Sequence, residues 1–538
     1  ESKMKKVFIP FMVALCIALG IVIGNFYSKL KTQKQLSLPF DRIVKTNDKI
    51  SDVLDIIEEF YVDTIVRDSL VEQVIPEIIS QLDPHSSYIP AKDLQMVNEE
   101  LSGSFFGIGV QFNLQNDTIY VINVISGGPS EKVGIMAGDR IVRVNDSVFV
   151  GKKVTNEKVI STLRGDKGTK IKLGIVRRGS KEITNYVVTR GEVPVSSIDI
   201  GYMITPKIGY ISVNKFGETT YKEFLNALTN VKQQGAKSVI VDLRGNAGGY
   251  LGAAVEMLNE FLKKDDLIVY MQGAHQKRID SYADGTGSFQ NMKMAVIIDE
   301  FSGSASEIFA GAIQDNDRGT IIGRRSFGKG LVQKPIRLRD ESEIRLTVAK
   351  YYTPSGRCIQ KPYSKGNIAD YEMDLINRFN HGEFYSRDSI KENTTEVYHT
   401  KGGRVVYGGG GIMPDIFVPS DTVGSTKYFT EIVNKGLTYK FALNYTDNNR
   451  SKLKKFKSSA ELQEFLEKQD LFAKMMLYAK KSGVVCSKEE KDKSKPLIER
   501  QVIAYIERNV LNEKGFYPYI NQTDKCVRKA LEIFNTQK

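Results

Sequence analysis

At 538 residues the chain is too long for a single hydrophobic core, which points to about three or four domains. Hydrophobic residues at 41% and charged residues at 26% give the ordinary balance of a globular protein. The net charge of +12 comes from basic residues scattered among acids, as in 488–495, so it describes a solvated surface, one that suits an anionic membrane, rather than a nucleic-acid-binding tract. Four cysteines are too few for a disulfide scaffold: Cys16 lies in an apolar run, Cys358 stands alone, and a Cys486–Cys526 pair is left open. No CxxC pair or histidine cluster suggests a metal or cofactor, since His85, His275, His381 and His399 are far apart.

In chain order, Lys5 and Lys6 precede an 18-residue apolar run, 7–24, broken only by Pro10. That length borders both a signal-peptide core and a spanning helix. The bulky or polar Asn25-Phe26-Tyr27 offers no small-residue cleavage site, and Cys16 sits mid-run, away from a lipid-attachment position. Residues 1–27 are therefore expected to be an uncleaved anchor with its positive flank inside. The remainder would lie outside the cytoplasm, in the periplasm or beyond it; a cleaved signal is the rival. Residues 28–98 are expected to be a helical region, with Val53, Ile56, Ile57 and Tyr61, then Val71, Val74, Ile75 and Ile78, at helical spacing. The turn Leu82-Asp83-Pro84-His85-Ser86-Ser87-Tyr88 closes it, with His85 read as structural.

From 99 to 192 the texture changes to short β-type runs at 107–112, 119–125, 140–144, 170–176 and 183–188, with one helix-like piece at 154–163. Ser104-Phe105-Phe106-Gly107-Ile108-Gly109-Val110 and Gly127-Gly128-Pro129-Ser130-Glu131-Lys132-Val133-Gly134-Ile135, followed by Gly138-Asp139-Arg140-Ile141-Val142, resemble a PDZ domain. In that resemblance the loop carrying Phe105, Phe106, Gly107, Ile108 and Gly109 binds a terminal carboxylate through its N–H groups, and the peptide adds a strand to the sheet edge.

Residues 193–425 alternate strand and helix: strands at 208–213, 238–243 and 294–298, helices at 221–232, 251–262 and 304–314. That alternation implies βαβ units under helices. Residues 357–411 read as an exposed polar insertion, and 426–538 as a lysine-rich helical extension with no visible chemistry. Two strand–loop–helix junctions carry unusual loops, at the strand ends where α/β folds place ligands. In the second, Ser302-Gly303-Ser304-Ala305-Ser306-Glu307, Ser304 opens a helix whose N-terminus favours a developing oxyanion. Taken alone, Ser304 with Glu307 three residues on reads as a capping box. A nucleophilic serine needs a base, and no histidine occurs between His275 and His381. Lys329 in Phe327-Gly328-Lys329-Gly330 is the nearest candidate, because burial among glycines would lower its pKa; a plain surface or anion-binding lysine is the commoner fate.

Val241-Asp242-Leu243-Arg244-Gly245-Asn246-Ala247-Gly248-Gly249, the Ser304 segment, Phe327-Gly328-Lys329-Gly330-Leu331-Val332-Gln333, Tyr351-Tyr352-Thr353-Pro354-Ser355-Gly356-Arg357 and Gly411-Ile412-Met413-Pro414-Asp415 together resemble the C-terminal processing (tail-specific) protease family, in family order over about 50–420. The resemblance implies Ser304 as nucleophile, Lys329 as general base and Gln333 orienting the lysine. It implies an oxyanion hole from the N–H of Ala305 and of Gly249, before Gly248. Gly303 departs from the alanine usual before the nucleophile. The expectation is a multidomain α/β chain: an α/β protease core preceded by a PDZ-like β-rich domain, an N-terminal helical segment and a C-terminal helical extension. It is expected to be an endopeptidase acting on protein tails without a cofactor, its PDZ domain recognising the tail or gating the site, with homo-oligomerisation left open. The readings from other classes are a catalytically silent PDZ scaffold and a nucleic-acid binder, and the latter lacks aromatic platforms.

Overall fold

The computed structural model describes residues 48–536, apart from Glu100, Asn116, Ser126 and 178–181. The run 7–24, and with it the expected anchor, lies outside the described residues; among those described, no helix is long and apolar enough to cross a membrane. The chain divides into two units, 1–79 and 80–538. In the first, the helix Lys49–Phe60 is started by Asp48, whose carboxylate accepts from the Ile50 N–H at 3.1 Å. Arg67, which opens the helix Arg67–Ser80, pairs with Asp55.

In the second unit the β-rich region forms within a few residues of the predicted runs. Antiparallel strands Val110–Gln115, Thr118–Val124, Arg140–Val144, Lys170–Val176 and Ile183–Thr189 make one sheet in the order 110–115, 118–124, 140–144, 170–176, 183–189. Alternation sends Ile119, Val121, Ile141, Leu173 and Ile175 inward, where the helix Asn156–Leu163 closes the core through Val159 and Leu163. Val110–Gln115 is an edge strand, so its outer backbone groups are available for pairing. Ser104–Gly107 pairs instead with Gly191–Pro194 as a separate two-stranded ribbon.

The α/β region is built on β1 (Ile198–Thr205), β2 (Ile208–Val213), α1 (Thr220–Gln233), β3 (Ser238–Asp242), α2 (Leu251–Asn259), β4 (Leu267–Gln272), β5 (Lys293–Ile298), α3 (Ala305–Asp315), β6 (Thr320–Gly323), β7 (Leu331–Arg337), β8 (Glu343–Tyr352) and β9 (Ile416–Phe417). The central sheet runs β1-β2-β3-β5-β6-β9, parallel except for the β1–β2 hairpin. Its middle strands are apolar on both faces because both are covered. Val239, Val241, Val296 and Ile298 pack under α1, α2 and α3, while Ile240, Ala295 and Ile297 face the other way. A second, antiparallel sheet has β8 at its centre, flanked by β7, β4 and a short strand, Ser87–Ile89. The turn 82–88 therefore does more than close a helical segment: it feeds a strand into this sheet.

One further expectation changes. The segment 357–411, read as an exposed insertion, buries Arg357, Ile359, Gln360, Lys361, Tyr371 and Arg378. These polar residues are inside because they are paired: Arg357 with Asp315 at 2.8 Å, Lys361 with Asp374 at 2.9 Å and Arg378 with Glu383 at 3.1 Å. The lysine-rich tract 488–495 is the start of a helix, α4 (Lys488–Leu511), set by a capping box in which Ser487 and Glu490 bond each other's backbone N–H. Around it lies a separate helical core that includes Tyr428, Leu462, Met475, Ile498 and Ile506. The chain ends in α5 (Glu513–Asn521) and α6 (Lys525–Thr536). Cys358, Cys486 and Cys526 are free thiols, and the last two belong to different cores, so the pair left open by the sequence does not form.

Candidate active site

Both predicted junctions lie at the carboxyl ends of neighbouring parallel strands, β3 and β5, and they are tied to each other. Asp299 Oδ1 accepts from the Gly245 N–H at 3.0 Å, and the Ser302 hydroxyl donates to the Leu243 carbonyl at 2.8 Å. The Asn246 carbonyl accepts from the Gly303 N–H at 3.0 Å and from the Ser306 hydroxyl at 2.8 Å. As a result Gly248 lies directly on the serine. A methyl on Gly248 would stand 2.7 Å from Ser304 Cβ and 2.9 Å from Ala305 N, closer than side chains pack, so only glycine allows the approach.

Ser304 itself has φ 54° and ψ −113°. A serine that merely caps a helix takes extended backbone. A non-glycine residue held here costs on the order of 1–3 kcal/mol, and such strain persists at functional turns, including the strand-to-helix elbow that presents a nucleophile. The departure at Gly303 is sterically minor: a methyl there would meet the Ala247 carbonyl at 3.4 Å, an ordinary contact.

The Gly248 N–H is engaged by Asn246 Oδ1 at 2.9 Å. Gly248 and Tyr250 bridge to Phe216 through the Gly248 carbonyl (3.0 Å) and the Tyr250 N–H (2.7 Å), which leaves the Gly249 N–H out of that ladder. At the first position of α3, the Ala305 N–H has no partner within the helix.

Glu307, seen in the sequence only as a capping partner, is the hub of the site. It is fully buried. Its Oε2 accepts from the Ser304 N–H at 2.9 Å and from the Lys329 N–H at 2.8 Å. Its Oε1 accepts from the Ser326 hydroxyl at 2.5 Å and the Gly328 N–H at 2.6 Å. One carboxylate oxygen thus holds the backbones of Ser304 and Lys329 no farther apart than the sum of its two hydrogen bonds. Burial raises the Glu307 pKa, and the four donors oppose that rise. The only sequence signal for this role was the single position three residues into the helix.

Burial holds the Lys329 ammonium below its ordinary range; Glu307 and Asp83 pull it back up, and Arg345 pushes it down. His85 lies close enough to feel Lys329. Burial first, then the Lys329 charge, lower the imidazole to about 4, with Asp83 opposing and Lys361 adding to the fall. Its Nε2 is 2.7 Å from the Tyr371 hydroxyl, so it is held neutral and already engaged near neutrality. The Gln333 amide turns to the neighbouring strand: it donates to Thr347 Oγ1 at 3.3 Å, and Thr347 donates to Asp83 Oδ1 at 3.0 Å. Sequence reasoning missed Asp83 and Thr347. The Asp83–Ser86 spacing was the available signal, since Asp83 accepts from the Ser86 hydroxyl at 2.6 Å and from the N–H groups of His85 and Ser86 at 2.9 Å.

Of the residues expected to bind a tail, Phe105, Ile108 and Gly109 line a groove of about 310 Å³ between the edge strand Val110–Gln115 and the helix Asn156–Leu163. Phe106 and Gly107 do not line it. Arg164 closes one side, its guanidinium 4.5 Å from the Phe105 ring centre and paired with Glu99 at 3.0 Å.

Family profiles match the chain at 107–187 (PDZ domain), 207–373 (Peptidase family S41) and 428–512 (Family of unknown function, DUF8443). The chain is 30% identical over 364 residues to the carboxy-terminal processing protease CtpB of Bacillus subtilis, covering 66% of this chain and 74% of that protein. It is 34% identical over 292 residues to a Staphylococcus haemolyticus protein named "Probable CtpA-like serine protease", covering 54% and 58% respectively. Among solved structures it is similar to the photosystem II D1 C-terminal processing protease, with 24% identity and a TM-score of 0.34, over 59% of this chain and 91% of that one. With a relative 30% identical matched over almost three quarters of its length, and with a PDZ profile preceding an S41 profile, the chain belongs to the PDZ-containing carboxy-terminal processing serine proteases of peptidase family S41.

Proposed function

We propose that this chain is a serine endopeptidase in which Ser304 attacks the scissile carbonyl and Lys329, neutral when active, takes its proton. The N–H groups of Ala305 and Gly249 stabilise the resulting oxyanion, and the lysine then returns the proton to the leaving amine. Gln333 orients Lys329: with its amide nitrogen given to Thr347, its carbonyl oxygen is left to accept from the ammonium. The single observation that supports this most is the strained Ser304 at a helix start, with Gly248 against it and Lys329 on the same carboxylate oxygen.

Wild type and Ser304→Ala, given a model protein with an unstructured tail, test the reading by mass mapping of the products. Equal digestion by both would overturn it. The pH profile tests the base. kcat/KM for a short peptide should rise with pH along a single-proton limb below lysine's ordinary 10.5, as Lys329 loses its proton. His85→Ala should leave that limb in place; its disappearance would make His85 the base. The same shift has a stability consequence. A folded-state pKa below the unfolded value means that the unfolded chain binds more protons between the two. The burden of a buried ammonium is therefore full at low pH and fades as pH climbs toward 10.5. Lys329→Met should accordingly raise Tm at neutral pH by more than at pH about 10.

The PDZ groove receives the substrate's C-terminal tail as an added strand on Val110–Gln115. Amidating a peptide's C-terminus should weaken its binding or processing, and equal rates for acid and amide would leave this domain as a gate. The run 7–24 behind Lys5 and Lys6 anchors the chain with Ser304 outside the cytoplasm. Carbonate washing of membranes should then fail to release it.

A further inference from the structure

The last 24 residues of the described chain, α5 and α6, pack on the face of the central sheet opposite α1, α2 and α3. Cys526, Val527 and Ala530 of α6 are buried against Tyr210, Ile240, Ala295, Ile297 and Ile322. From α5, the Tyr517 hydroxyl donates to Asp199 at 2.6 Å and the Asn521 amide to the Tyr202 hydroxyl at 3.0 Å. Asp524 lies between the two helices. Its Oδ1 accepts from the Val527 N–H at 2.9 Å, at the start of α6, and its Oδ2 accepts from Arg244 Nη1 at 2.7 Å.

Arg244 opens the loop that carries Gly248 and Gly249. The rest of its guanidinium is held by Asp242, Nη2 to Oδ2 at 2.6 Å and Nε to Oδ1 at 3.0 Å, and Asp242 in turn accepts from the Tyr210 hydroxyl at 2.7 Å. Asp242 is the last residue of β3, two positions before Arg244, so by itself it ties Arg244 only to the strand that leads into its own loop. Among the described residues, Asp524 is the ion-pair partner that comes from elsewhere in the fold.

We propose that Asp524 is a positioning residue for the oxyanion loop: through Arg244, the C-terminal helices fix the entrance of the loop and so hold the Gly249 N–H toward the site. This rests on the protease reading of Ser304. The physical need is plain from the loop. Gly245, Gly248 and Gly249 stand at φ 71°, 104° and 143°, so this stretch has unusual freedom to lose. An oxyanion donor works only when preorganised, within about 0.5 Å of its productive position. Both charges are largely shielded, Arg244 24% and Asp524 20% exposed, so salt screens the pair less than a surface bridge. The C-terminal extension thereby has a catalytic task, and it need not touch substrate to perform it.

The test uses the full chain with Asp524→Asn, Asp524→Glu and Arg244→Gln, and the double variant Asp524→Asn/Arg244→Gln. Asparagine caps a helix as well as aspartate does, so Asp524→Asn keeps the start of α6 while removing the charge facing Arg244. Its kcat on a short peptide should fall about tenfold to a hundredfold with KM unchanged, the scale of a small misplacement of catalytic groups. Affinity for a peptide boronate, whose adduct with Ser304 places an oxygen in the hole, should fall in parallel, while affinity for the product peptide should not. Asp524→Glu should recover most of the loss, and the double variant should be no worse than Arg244→Gln alone. Wild-type kcat and boronate affinity in Asp524→Asn would overturn the proposal. So would a loss explained by a smaller folded fraction, with boronate affinity per folded site intact. If wild type shows no Ser304-dependent cleavage, the protease reading itself fails, and the positioning role falls with it.

Discussion

Lys329→Arg is expected to leave kcat/KM about a thousandfold or more below wild type, with the protein still folded. Guanidinium stays protonated at any working pH, so it cannot take the proton of Ser304 however well it fits the space. Lys329→Ala should fail equally, because it has no group to accept a proton. The two substitutions separate the roles available to this side chain. If Lys329 only bound an anion or filled a surface position, arginine would serve nearly as well as lysine. In the proposed mechanism burial is what would let a lysine serve, since desolvation lowers the ammonium below its ordinary range. Near-normal turnover in Lys329→Arg, measured on a short peptide, would remove the lysine from the mechanism.

Glu307→Ala should be the most damaging single change to both stability and activity. The carboxylate accepts from the Ser304, Gly328 and Lys329 N–H groups and from the Ser326 hydroxyl, and truncation orphans all four donors in a buried site. At about 1–3 kcal/mol each, the four orphaned donors would cost about 4–12 kcal/mol if nothing moved, and relaxation toward other partners is expected to leave a loss of about 3–5 kcal/mol. The thermal midpoint should fall clearly, and the fraction that stays folded should be inactive because Ser304 and Lys329 no longer share an acceptor. Glu307→Gln keeps the shape but turns an N–H₂ toward donors, so its activity should fall nearly as far with a smaller loss of midpoint. An unchanged midpoint in Glu307→Ala would show that these four donors find other partners.

Some of this was legible in the chain itself. The strands at 208–213, 238–242 and 293–298, the helices after them and the glycine loops between are local features: apolar runs need cover, and turns need Gly, Ser or Asp. The order of the Gly248–Gly249, Ser304 and Lys329 motifs likewise pointed to one site. The polar segment 357–411 was misleading because composition reports polarity and not pairing: Arg357 looks exposed until Asp315, 42 positions away, is found beside it.

By itself, then, the sequence determined the elements, since propensity and periodicity act over a few neighbouring positions, and, through motifs in family order, which residues are candidates for the chemistry. Only the tertiary structure decided what surrounds them. That Glu307 reaches the loop 326–329, that Asp83 and His85 stand near Lys329, and that Asp524 meets Arg244 across 280 positions all depend on how separate elements pack and in what register they pair. The physical reason is that a buried charge or an orphaned N–H is settled by whichever partner the packing brings within about 3 Å, and no local pattern encodes that neighbour.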